Sequence, residues 1–124
     1  MLAYAMVGTN DKPKALAFYD AVLGELGYVR TMEFDKSQAY GSKDNPMAPS
    51  FAVGTPFDDK PATTGNGTMI ALYCADEGKI KAAHAKALSL GGKDEGAPGP
   101  RGDSGFYAAY FRDLDGNKLC VCKF

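Results

Sequence analysis

The sequence predicts an α+β domain made of two βαβββ modules, and three observations carry that prediction. A short apolar segment runs into a capped amphipathic helix and then into strands, and this order occurs twice. Between the two copies lies Thr55–Gly67, rich in Pro, Gly, Asp and Thr and without hydrophobic period. An offset of 65 residues superposes the copies, carrying Asp11 onto Asp76, Ala17 onto Ala82, Leu23 onto Leu88 and Gly27 onto Gly92. Module one is then residues 1–54, the linker 55–67 and module two 68–124, one domain whose modules form a curved sheet with a cleft.

Taken in order, Leu2–Val7 reads as a strand, followed by Asn10 and Asp11, whose side chains suit the free N–H groups of a helix start. Pro13 fits the first turn, where its missing donor costs nothing. Ala15, Phe18, Tyr19, Val22 and Leu26 recur at helical spacing until Gly27 stops the run. Tyr28–Phe34 and Ser37–Ser42 read as strands around an Asp35-Lys36 turn, and Ser50–Gly54 as a fourth strand. The pattern restarts with Thr68–Cys74, an Asp76 cap and a helix to Leu90 with Ile80, Ala83, Ala87 and Leu90 on its inner face. Gly96–Gly105, with two prolines and four glycines, reads as a loop. Phe106–Arg112 and Lys118–Lys123 form a hairpin around Asp113–Asn117, where Asp-Gly is a strong turn signal.

Composition excludes several function classes. Fourteen basic and fifteen acidic residues give a net charge of −1, with no basic stripe for nucleic acid or an anionic membrane. No apolar run approaches the roughly 20 residues that span a bilayer. Three cysteines, an odd number with no CxxC pair, and no signal peptide at Met1–Gly8 read as reduced thiols in a cytoplasmic protein.

Four stretches, in order along the chain, resemble the vicinal oxygen chelate superfamily, which includes glyoxalase I, bleomycin-resistance proteins and extradiol dioxygenases. They are Ala17-Phe18-Tyr19 with Val22-Leu23 and Leu26-Gly27-Tyr28; Gly67–Leu72; Gly96–Arg101; and Gly105–Ala109 leading to Asp113–Asn117. The resemblance implies the fold but no single reaction, because the fold carries isomerases, dioxygenases, transferases and plain binders. It also implies where a divalent metal sits in the catalytic members, on His and Glu side chains. Those positions hold Tyr4, Met69 and Cys120 here, and the strand Ser50–Gly54 supplies no His or carboxylate. The 65-residue offset maps Tyr4 onto Met69, an independent check on the alignment. The chain's one histidine, His84, falls on the second helix in register with Tyr19. The expectation is therefore a divergent member with no metal and no other cofactor.

Strand alternation places Tyr4, Met6, Met69, Ala71, Tyr73, Cys120, Cys122 and Phe124 on the cleft side, with Val7, Ile70, Leu72 and Cys74 under the helices. Such a lining suits a flat organic ligand oriented by Tyr4 or Tyr73. Tyr107 or Phe106 adds a stacking face, the parity leaving open which, and Arg101 is the best cation for an acidic ligand group. Cys120, Cys122 and Met69 are soft donors, equally ordinary apolar filling. The loop Asp44–Pro49 and the linker are candidate lids. The leading functional reading is a metal-independent binder of a small apolar or aromatic molecule, and the chain is expected to form a homodimer. One alternative is a lyase or isomerase using Tyr4 or Cys120 as its catalytic residue. The other is a dimeric interaction module whose cleft its own side chains fill.

Overall fold

A computed structural model describes all 124 residues. The first module runs β1 (Tyr4–Gly8), α1 (Lys12–Glu25), β2 (Tyr28–Glu33), β3 (Ser37–Ser42) and β4 (Ser50–Gly54). The second repeats it as β5 (Ile70–Tyr73), α2 (Glu77–Ser89), β6 (Lys93–Pro100), β7 (Tyr107–Arg112) and β8 (Lys118–Lys123). The duplicated capping signal is real chemistry. The Asp11 carboxylate accepts from the Lys14 N–H at 3.1 Å and the Asp76 carboxylate from the Lys79 N–H at 3.0 Å, each satisfying a donor left free at a helix start. Gly27, at φ +86°, follows the end of α1 in the left-handed conformation that favours glycine.

Each module forms a four-stranded mixed sheet, in the orders β1-β4-β3-β2 and β5-β8-β7-β6. The β1–β4 and β5–β8 pairs are parallel and the others antiparallel, so the two sheets are pseudo-equivalent down to strand direction. The inner faces meet the helices. Val7, Tyr40, Phe51 and Val53 from the first sheet join Ala109, Phe111, Leu119 and Val121 from the second in one 19-residue core. Phe18 of α1 reaches Phe111 of β7 at 6.3 Å between ring centroids, so the core crosses from one module to the other. Each large apolar side chain buried there stabilises the fold by about 1.5–3 kcal/mol. His84 packs in this layer as well, 5 % exposed, with Nε2 3.0 Å from Asp94 Oδ1.

One element departs from the sequence reading. Residues 93–100 form strand β6, overlapping the segment expected to be a loop. It is an edge strand, paired only with β7 and broken by two register shifts around Gly96. Pro98 and Pro100 are tolerated because an edge does not need every N–H. No helix is long and apolar enough to cross a membrane.

Candidate functional site

The inner face of each sheet is filled by helix; the outer faces are open. On the first sheet the outer parity of the strands brings Tyr4 and Met6 of β1, Ala39 of β3, and Ser50 and Ala52 of β4 side by side. A bulge in β2 adds to them. Between Arg30 and Glu33 the strand gains one residue against β3, and the buried Gln38 amide donates to the Met32 carbonyl at 3.0 Å, holding the irregular turn of chain. Met32 and Phe34 then line a cavity of about 670 Å³, closed on another side by Met1, Leu2 and Pro46–Pro49. Four of the chain's five methionines line it, and no acidic or basic side chain does. Unbranched thioether side chains adapt to the shape of what they touch. The only side-chain polar groups are the Tyr4 phenol and the Ser37 and Ser50 hydroxyls.

The residues singled out from sequence are distributed over both sheets. Tyr4 stands in the cavity. Tyr73, Cys120 and Cys122 belong to the second sheet, where the register pairs Ala71 with Cys120 and Tyr73 with Cys122 on the outer face, and Met69 immediately precedes β5. Tyr4 and Tyr73 come together along a narrower groove of about 390 Å³ between β1 and β5. Tyr107 is a correction. It is 8 % exposed and packs in the helix-side core, because β7 places Tyr107, Ala109 and Phe111 on one face. Phe106 takes the outer position, packed on Ala108, Cys120 and Cys122 and stacked on Phe124 at 5.5 Å. Arg101 lies over the Tyr110 ring, 5.5 Å from its centroid, and donates to the carbonyls of Ala97, Gly99 and Pro100.

The loop carrying Pro46–Pro49 walls the cavity. The linker does not reach it. Its Ala62 exchanges hydrogen bonds with the Asn10 side chain, and its Asp59 pairs with Lys36 at 2.8 Å. Sequence reasoning missed Met32, Phe34, Ala39 and Ala52; the period-two alternation of β3 and β4 carries part of that signal, and the bulge at Met32 breaks it.

The donor set does not fit a hard or borderline divalent metal. No group of three or more His, Cys, Asp or Glu side chains converges anywhere in the chain. At the positions that hold ligands in catalytic relatives stand a phenol, a thioether and a thiol. The Cys120 thiol is pushed up to about 12, first by burial and then by the neighbouring Cys122.

The profile of the Glyoxalase/Bleomycin resistance protein/Dioxygenase superfamily matches residues 1–121, and the chain belongs to that superfamily. Among solved structures it is similar to a glyoxalase/bleomycin resistance protein from Albidiferax ferrireducens, 36 % identical over 98 % of this chain and 97 % of that one, with a TM-score of 0.88. A superfamily member from Sphaerobacter thermophilus is 24 % identical over 100 % and 97 %, with a TM-score of 0.66. A putative glyoxalase from Bacillus halodurans is 19 % identical over 98 % and 94 %, with a TM-score of 0.72. The last two show the fold alone. No curated protein matches the chain.

Proposed function

We propose that this protein binds a small, largely apolar or aromatic molecule without a metal. The observation that carries the reading is the cavity on the first sheet: about 670 Å³, lined by methionine, alanine, proline and aromatic side chains, with one phenol to orient a ligand. That size and lining are ordinary for an organic ligand site. Acid–base or nucleophilic chemistry finds little support beside it. Cys120 lies outside the cavity with its thiol held protonated, and Tyr4 has no charged side chain around it there.

The same reading includes a second copy of the chain. Tyr4 and Met32 on the first sheet, Phe34 and Met47 beside it, and Tyr73 and Phe124 at the second are more than half exposed. Outer faces this apolar are ordinarily covered. Because the sheets are pseudo-equivalent, a two-fold arrangement that sets the first sheet of one copy against the second sheet of the other buries both faces at once and encloses two cavities.

Titration with N-phenyl-1-naphthylamine, an uncharged planar aromatic fluorophore, tests the binder. Saturable binding is expected, weakened at least about tenfold by Met32→Glu, which sets a charge in the apolar lining. Binding that never saturates, or that ignores Met32→Glu, sinks the reading. Native mass spectrometry of the same protein should show the dimer.

A further inference from the structure

The two outer faces differ in charge. The cavity on the first sheet has no charged side chain, whereas the second sheet carries two cations over one aromatic ring. Arg101 lies 5.5 Å and Lys118 5.7 Å from the centre of Tyr110. Neither has a carboxylate partner. The other two arginines each hold one, Arg30 with Asp20 and Arg112 with Glu95, and the nearby Glu95 is thereby already engaged. The Lys118 ammonium makes no hydrogen bond within the chain, and three donations from the terminal nitrogens of Arg101 leave its Nε–H free.

The place is built. Gly96, opposite Tyr110 in the β6–β7 register, leaves the space that the ring and guanidinium occupy: a Cβ there would stand 2.9 Å from Tyr110 Cδ2 and 3.2 Å from Arg101 Nη2. The carbonyls of Ala97, Gly99 and Pro100 fix the guanidinium in position, so little side-chain freedom remains to be lost on binding. Both cations stand at one aromatic ring with no carboxylate to neutralise them, so an anionic group beside that ring is attracted by both.

We propose that the Arg101–Tyr110–Lys118 corner receives the anionic end of the ligand, and that the ligand is an apolar or aromatic acid: a planar or hydrocarbon body carrying one carboxylate-like group. This rests on the proposed function, in which the body lies on the methionine-lined sheet and the corner faces it from a second copy. The acid end is held by the two cations, and the body by contacts that carry no charge.

Two fluorophores that share one body separate the parts. 8-Anilinonaphthalene-1-sulfonate is N-phenyl-1-naphthylamine with a sulfonate added. On the intact protein, Lys118→Gln and Arg101→Gln should each weaken the sulfonate at least about fivefold and change the neutral probe less than about twofold, the size expected for losing one partly exposed charge contact. Raising salt should weaken the sulfonate alone. Because Arg101 also braces β6 through the Ala97, Gly99 and Pro100 carbonyls, Lys118→Gln is the cleaner variant. If the neutral probe binds and both substitutions leave the sulfonate unchanged, the corner is not an anion site and the binder reading stands. If neither probe saturates, both proposals fall together.

Discussion

The Tyr19 hydroxyl donates to Asp113 Oδ2 at 2.5 Å, joining the helix of module one to the hairpin turn of module two across 94 residues of sequence. Asp113 also accepts from the N–H groups of Asp115 and Asn117, and from the Asn117 amide, which in turn reaches the Gly8 carbonyl at 2.9 Å. The Asp-Leu-Asp-Gly-Asn stretch is thus a hairpin turn and, at the same time, the polar joint between modules. Tyr19→Phe leaves one lone pair of a buried carboxylate unpaired and should cost about 1–3 kcal/mol. Urea denaturation followed by circular dichroism measures it, and an unchanged midpoint would mean the joint bears no stability.

The same pair sets a limit at alkaline pH. The Tyr19 phenol is held well above its ordinary 10.0, chiefly by burial and then by the Asp113 charge. The folded state therefore keeps this proton more tightly than the unfolded state. The stability so gained is complete below the unfolded value and is lost as pH rises above it. Tyr28 and Tyr40 are raised by burial in the same direction. The urea midpoint should fall as pH rises above about 10, less steeply in Tyr19→Phe than in the parent.

All three cysteines are buried, and burial, with the neighbouring Cys122, pushes the Cys120 thiol up from its ordinary 9.0 to about 12. Thiolate is the reactive form. Reaction with 5,5′-dithiobis(2-nitrobenzoate) at pH 8 should be slower by about 100-fold or more in the folded protein than in urea. One equivalent reacting rapidly in the native protein would instead make Cys120 or its neighbours a nucleophile and revive the enzyme reading.

How much of this was legible depends on how local the determining physics is. Asp11 and Asp76 announce their helices because a cap is a contact over three residues. The parity of Tyr4 against Val7, and of Cys120 against Val121, follows from the pleat alone and matches the observed faces. Strand β6 was hidden because its glycines and prolines satisfy an edge that only the assembled sheet defines. Tyr107 and Phe106 had no fixed parity until β7 paired with β8. That Tyr4 and Cys120 stand on different sheets is tertiary, and no spacing encodes it. Arg101 was visible as a cation, but its seat on Tyr110 depends on Gly96, whose only signal is its missing side chain.

Gly96 therefore makes the sharpest structural prediction. Gly96→Ala sets a methyl carbon 2.9 Å from the Tyr110 ring, closer than packed carbons approach, and the ring cannot retreat without moving Arg101. The expected cost is about 1–3 kcal/mol in urea denaturation. Gly24→Ala is the control. It lies inside α1 with no atom within 4 Å of the added carbon, so the better helix propensity should stabilise the chain by about 0.5–1 kcal/mol. If Gly96→Ala proves as neutral as an exposed substitution, the close seat of Tyr110 against β6 is wrong. If it destabilises while Gly24→Ala stabilises, the glycine is kept for the space it leaves, and weaker sulfonate binding should accompany the loss.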